Sequence, residues 1–319
     1  MPTNGATHGQ RVYFAIVDSR KAATMSAIPE IRPGQSIELL KELHILTRDG
    51  KLNQDSRRKL KQVYHLYQFI EPLMQSVRRN HAEHGTAGMC LVDHGAGKSY
   101  LGFILYDLFC KDVADGAHVY GIETRDELVE KSAALAQRLG FSGMSFLNLS
   151  VAESIESPAL PAHIDIVTAL HACNTATDDA ITFALKKNAS HVVLVPCCQA
   201  EVASVLNRLK GKALAKNPLT ELWRHPIHTR EFGSQLTNVL RCLQLEAHGY
   251  QVSVTELVGW EHSMKNELII ASYKDLPRRR ARERLRSVLE SVGLEEMCTR
   301  FFTEPIDAPL VSPATAAHQ

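Results

Sequence analysis

Between residues 89 and 195 the chain alternates short apolar runs with longer stretches whose apolar residues recur at three- and four-residue steps. Residues 89–92 predict a strand, 99–109 a helix, 119–122 a strand, 125–139 a helix and 144–149 a strand. A strand over 164–170, a helix over 177–187 and a buried strand over 192–195 follow. Strand and helix alternating at this spacing predict parallel βαβ units with helices on both faces of the sheet.

The alternation then breaks. Residues 229–248 predict a helix with Phe232, Leu236, Val239, Leu240 and Leu243 on one face, followed by strands over 250–257 and 268–273. A parallel pair needs a crossover of at least about 10–12 residues, helix and loops included. Segment 258–267, with Gly259 and Asn266, is too short for one, so the last two strands predict an antiparallel hairpin. The fold class is therefore α/β: a Rossmann-like, doubly wound seven-stranded sheet with an antiparallel C-terminal hairpin.

Outside that alternation, residues 11–17 suggest a short strand, and Pro29, Pro33 and Gly34 suggest turns. From Asn53 a long amphipathic helix is predicted, with Leu60, Val63, Tyr64, Tyr67, Ile70, Leu73 and Met74 in register and Arg57–Lys61 near its start. Residues 278–293 predict a basic-ended helix, and the tail from Glu304 carries three prolines and no pattern. The organisation expected is a mostly helical N-terminal extension over 1–84, a main domain over 85–275, and a basic helix with a loose tail over 276–319.

Composition narrows the class of protein. Of 319 residues, 45% are hydrophobic and 22% charged, close to globular averages, and the formal charge is +1, which excludes a globally basic nucleic-acid binder. Neither a secretory leader in residues 1–21 nor an apolar run of about 18 residues is seen, so a cytoplasmic protein without a membrane span is expected. Seven cysteines, odd in number and irregular in spacing, predict free thiols.

The sharpest local feature is Asp93-His94-Gly95-Ala96-Gly97-Lys98-Ser99-Tyr100, a glycine-rich turn between a strand and a helix. Read as a phosphate-binding P-loop it lacks the glycine five positions before Gly97, where Val92 stands. Read as a dinucleotide fingerprint it has Tyr100 in place of the third glycine. S-adenosylmethionine (SAM) sites need an acid ending the first strand, two glycines, and a second acid ending the next strand to hold the ribose. Asp93, Gly95, Gly97 and Glu123 fit that plan, and a carboxylate at Glu123 can accept both ribose O–H groups. The plainer alternative is a tight turn beside a solvated surface acid.

With Leu170-His171-Ala172-Cys173-Asn174-Thr175-Ala176-Thr177-Asp178, Val195-Pro196-Cys197-Cys198-Gln199 and Glu261-His262-Ser263-Met264-Lys265-Asn266, the turn makes four ordered motifs. Together they resemble the class I SAM-dependent methyltransferases. The closer resemblance is to a bacterial branch of the methyltransferase-domain family that includes eukaryotic methyltransferase-like proteins and a tRNA 2′-O-methyltransferase. The resemblance covers roughly residues 50–275. It implies SAM as cofactor, with His171 and Val151 beside it. The chain departs from the pattern at His94, where many relatives have an aromatic or apolar residue. It departs again at 148–151, which lacks the acid that often contacts adenine and leaves Ser150 to make that contact.

In such a sheet ligands sit beyond the carboxyl ends of the strands. His171, Cys173 and Asp178 follow the fourth strand, and Cys197, Cys198 and Gln199 the fifth. Methyl transfer needs chiefly a well-positioned acceptor, and where that acceptor must lose a proton, His171 or Asp178 is the expected base. Cys197 offers an alternative, the covalent route of RNA cytosine-C5 methyltransferases, although neighbouring cysteines more often pack as small apolar residues. A zinc site from His171, Cys173 and Cys197 is disfavoured because no C-x₂-C pair exists.

RNA is the acceptor expected from a basic rim drawn from Arg208, Lys210, Lys212, Lys216, Arg224, Arg230, Arg57–Lys61 and Arg278–Arg282. Trp223 or Tyr100 would serve for stacking, and Cys198, Gln199, Lys212 and Arg230 as acceptor contacts. Solvated helix faces are the bland reading of the same charges. Protein or small-molecule methylation, and a non-catalytic SAM-binding module, remain as alternatives.

Overall fold

The computed structural model of the protein describes residues 30–86, 88–113, 116–170, 174–196, 199–213, 217–257 and 267–302. Residues 1–35 and 36–319 form two compact units. In the first, the amide of Gln35 bonds to the carbonyl of Arg32 across the turn at Pro33 and Gly34. The strand expected over 11–17 lies outside the described residues.

The second unit opens with α1 (Ile37–Glu42) and the 31-residue α2 (Gln54–His84). Asn53 caps α2 by accepting the Ser56 amide, and Gly85 ends it in the left-handed conformation, φ 65°. The alternation follows as β1 (Met89–His94), α3 (Tyr100–Leu108), β2 (Ala117–Glu123), α4 (Asp126–Leu139), β3 (Met144–Asn148), α5 (Val151–Glu156), β4 (Ile166–Leu170), α6 (Ala176–Lys186) and β5 (His191–Val195). Then come α7 (Glu201–Ala213), a 3-10 turn (Pro218–Trp223), α8 (Pro226–Glu246), β6 (Tyr250–Glu256), β7 (Glu267–Tyr273), α9 (Arg279–Ser291) and α10 (Cys298–Phe301).

The sheet order is β3-β2-β1-β4-β5-β7-β6. The first five strands are parallel, while β7 runs antiparallel to both β5 and β6. The expected seven-stranded sheet with its reversed hairpin is therefore present, and boundaries differ from the sequence reading by one to three residues. One apolar layer sits under α6, built from Val92, Val167, Ile181, Phe183, Val192 and Leu194 among others. A second joins α7, α8 and α9 through Leu206, Trp223, Leu240, Leu285 and Leu289. Helices α1, α5, α7 and α10 were not anticipated, and of these α1, α5 and α10, at four to six residues, are too short to display a period.

Two anchors lie at the amino ends of the parallel strands. Helix α2 docks there through the Tyr67 hydroxyl on the Leu108 carbonyl, and through His81 on Asp165 at 2.9 Å. Arg278, at the start of α9, donates to the Tyr273 hydroxyl and to Asp275, beyond the end of β7. The Tyr273 amide in turn bonds to Ser190, just before β5. Residues 278–282 thus stand at the edge opposite the carboxyl strand ends, which corrects their expected place in a rim around the mouth. No helix among the described residues is long and apolar enough to cross a membrane.

Candidate functional site

The glycine turn leaves β1 at the carboxyl edge of the sheet, beside the ends of β2 and β4. Gly95 and Gly97 have φ of 67° and 59°, and Ser99 follows at 47°, a conformation that needs support in a residue with a Cβ. Asp93 supplies it. Its carboxylate accepts from the Ser99 hydroxyl at 3.2 Å, from the Thr168 hydroxyl of β4 at 3.0 Å, and from the Gly102 amide. Only 2% exposed, Asp93 is pushed up to a pKa of about 6 by burial, against the pull of those donors. Its oxygens are committed inward, so Asp93 shapes the turn instead of facing a ligand. Gly102 belongs to the same set, since a Cβ there would meet Ser99 Oγ at 2.5 Å.

Glu123 ends β2 and faces the turn. It accepts the Gly97 amide at 2.8 Å, the Thr124 and Arg125 amides at 3.0 and 3.1 Å, and two guanidinium N–H groups of Arg125, both at 3.0 Å. The Arg125 contacts outweigh burial and hold the carboxyl down at about 2. Arg125 itself is largely exposed, so this ion pair can open at little cost. A fixed anion against a backbone N–H of a left-handed glycine turn is a cradle suited to a ligand that brings hydroxyl donors.

His94 is the unusual member. Its ring packs on Phe183 at 5.2 Å in the layer under α6, is 5% exposed, and leaves both nitrogens without a hydrogen-bond partner among the described residues. Burial pulls its pKa down to about 4, with Glu123 opposing, so the imidazole is neutral at physiological pH.

At β3 the expected adenine contact is otherwise engaged. Ser150 caps α5, accepting the Glu153 amide while Glu153 returns to the Ser150 amide, a reciprocal capping box. Val151 is the first residue of that helix.

Beyond β4 and β5, Asp178 is engaged by a distant partner. Arg241 of α8 donates to both of its oxygens, Nε at 2.9 Å and Nη2 at 2.7 Å, and both side chains are buried. The bidentate guanidinium engages both carboxylate oxygens, so the fold uses Asp178 as the partner of Arg241 where a general base was expected. Gln199 is likewise internal: its amide donates to Asn238 and accepts from Ser234. His171, Cys173, Cys197 and Cys198, and the side chain of Lys212, lie outside the described residues, as do Lys216 and the motif at 261–266. No cluster of metal-ligating side chains occurs among the described residues.

Arg241 and Asn238 lie off the apolar face by which their helix is recognised in sequence. Ser234, Asn238 and Arg241 recur at four- and three-residue steps, a polar stripe that helical spacing alone could have flagged.

Trp223 is 1% exposed and stacked on Phe232 with ring centres 5.1 Å apart, so it packs the core and offers no face to a base. Of the basic residues expected to form a rim, Arg208 pairs with Glu296, Arg224 with Glu221 and Arg230 with Glu231.

Residues 58–205 match the family model described as a methyltransferase domain. The matched segment runs from the first turns of α2 into α7, and so contains the glycine turn, Glu123 and the ends of β4 and β5. A curated relative, a glutathione S-transferase C-terminal domain-containing protein of Bos taurus, is 25% identical over 241 residues, which cover 70% of this chain and 34% of the relative. The chain thus spans about a third of that protein's length. Among solved structures, the chain is similar to magnesium protoporphyrin IX methyltransferase of Synechocystis with bound SAH, at 16% identity and TM-score 0.37, over 74% of this chain and 93% of the other. It is also similar to a SAM-dependent methyltransferase of Aquifex aeolicus, at 20% identity and TM-score 0.36, over 58% and 82% respectively. An rRNA methylase of Streptococcus thermophilus matches at 10% identity and TM-score 0.36, over 60% and 88%.

Proposed function

We propose that this chain transfers the methyl group of SAM to an oxygen or nitrogen of RNA. The observation that carries the cofactor reading is Glu123. It is an ionised acid ending β2 and bonded to the Gly97 amide of the turn after β1, inside a segment that matches a methyltransferase domain. In this reading Glu123 holds the ribose hydroxyls and Arg125 gives way to them. The glycine turn, shaped from beneath by Asp93, lies along the amino-acid end. When bound, SAM supplies a methyl group made electrophilic by its sulfonium. The chain's own residues bind, orient and exclude water.

With Asp178 engaged by Arg241, His171 is the remaining candidate base, needed only where the acceptor must lose a proton. The covalent route stays with Cys197, and Cys197→Ser tests it: unchanged methylation removes that route. RNA is supported by Lys210 on α7, by Arg224 just before α8 and by Arg230 near its start, the ion pairs of the two arginines being exposed and exchanging readily for phosphates. Three such contacts to a single strand give a salt slope of roughly −2.

A protein acceptor is the second reading, favoured by Leu219, Leu222 and Ile227, which are 46%, 53% and 59% exposed along the same stretch. The test is calorimetry with SAM and SAH alongside labelled SAM offered to total RNA, protein extract and metabolites. Label in RNA supports the first reading and label in protein the second. Label in metabolites alone overturns both. Cofactor binding with no label anywhere favours a non-catalytic module, and no cofactor binding sinks the proposal.

A further inference from the structure

Around the polar stripe of α8 runs a buried network larger than the pair at Asp178. Arg241, fully buried, also donates to the Asn174 carbonyl at 2.8 Å and to Asn238 Oδ1 at 3.2 Å. Asn238 accepts from the Gln199 amide at 2.8 Å and donates to Glu267. Ser234 donates to Gln199, and the Ala200 amide donates to Asn174 Oδ1 at 3.1 Å. Asn174 is held at φ 53°, a conformation its side-chain bond to Ala200 helps to keep.

Three entry points are tied together here: Asn174 and Asp178 after β4, Gln199 and Ala200 after β5, and Glu267 at the head of β7. These residues lie within, or directly beside, the three motifs that follow the glycine turn in the sequence. The residues that shape the turn itself, Asp93, Ser99 and Thr168, are a different set.

We propose that Arg241 and Asn238 are positioning residues for the acceptor side of the site, acting through Asn174, Gln199 and Glu267, while the cofactor side is set independently by Asp93 and Glu123. The division of labour rests on the methyl-transfer reading above. Its physical basis is that the members of a buried polar network polarise and orient one another, so removing one loosens its neighbours. A buried guanidinium with a bidentate partner and two further acceptors fixes direction as well as charge, so lysine is no substitute.

Arg241→Met strips buried Asp178 of its bidentate partner, leaving it Arg300 at 4.0 Å, and risks unfolding, so Asn238→Ala is the working variant. It cuts the limbs to Gln199 and Glu267 and leaves the Arg241–Asp178 pair intact. In the full chain, Asn238→Ala is expected to speed amide hydrogen exchange at residues 174–178 and 199–200. Exchange at 95–99 and calorimetric affinity for SAH should not change. Labelled methyl incorporation into total RNA should fall about a hundredfold at saturating SAM, as expected when reacting groups are misplaced by about an ångström. Unchanged exchange beside β4 and β5, or SAH affinity falling in step with incorporation, would overturn the proposal. The exchange and binding arms need no acceptor, so they decide the positioning claim even if the wild type labels no RNA, an outcome that counts against the RNA reading alone.

Discussion

Replacing Glu123 by glutamine is the most direct probe of the cofactor site. The carboxylate presents two oxygens, with Gly97 N–H on one and the Thr124 and Arg125 amides on the other. A ribose would claim the positions that the exposed Arg125 guanidinium now takes, and opening that pair costs about 0–1 kcal/mol. Two hydroxyl donors to an ionised acid are each worth about 1.5–3 kcal/mol. Glutamine keeps one acceptor oxygen and turns the other position into a donor, so one charge-assisted bond is lost outright. At about 1.4 kcal/mol per decade, SAH affinity should fall by roughly 10- to 150-fold in calorimetry. Glu123 is held down at about 2 by Arg125, so it is ionised at every pH above that value and wild-type affinity should be flat between pH 5 and 8 on its account. A glutamine variant within twofold of wild type, or an affinity that declines on acidification with a midpoint near an ordinary carboxyl, would refute the assignment.

Three further outcomes follow from the turn. Asp93 is raised from 3.8 to about 6 by burial, so the folded state holds its proton more tightly than the unfolded chain does. Its contribution to stability is fully present below pH 3.8 and is lost as pH rises to about 6, an amount of about 3 kcal/mol. His94 and His191, both lowered to about 4 chiefly by burial, act with the opposite sign over the same range. The part of that loss above pH 5, about 1.4 kcal/mol, is therefore read as the difference between wild type and Asp93→Asn in urea unfolding at pH 5 and pH 7.5, and an equal difference at the two pH values would contradict it. His94→Leu removes two buried nitrogens that have no partner among the described residues and should raise the unfolding free energy by about 1–3 kcal/mol; a drop instead would mean that the ring has a partner. Gly102→Ala places a Cβ 2.5 Å from Ser99 Oγ and should cost about 1–3 kcal/mol and weaken SAH binding, whereas wild-type stability and affinity would show that the Asp93–Ser99 contact does not shape the turn.

Much of the framework is local information. The apolar runs of β1 to β5, the caps at Asn53 and Gly85, and the short link before β7 are written in neighbouring residues, and a fold of known connection rules follows from them. Gly97 and Glu123 were legible for the same reason: each sits at a strand end, where the period of the pattern changes. The basic segments misled because charge is visible in sequence while its location is not. Arg278 is at the far edge of the sheet, and Arg208, Arg224 and Arg230 each have an acid beside them.

The order of apolar and polar residues thus determined a parallel sheet closed by a reversed hairpin, with a glycine turn and a second acid at adjacent strand ends. Tertiary packing alone decided what the charged side chains do there. It turned Asp93 inward onto Ser99 and Thr168, and brought Arg241 across 63 positions of chain to close on Asp178. The reason is that strand and helix patterns depend on residues a few positions apart. The state of a buried charge depends on which distant partner the fold delivers to it, and on the water the fold removes.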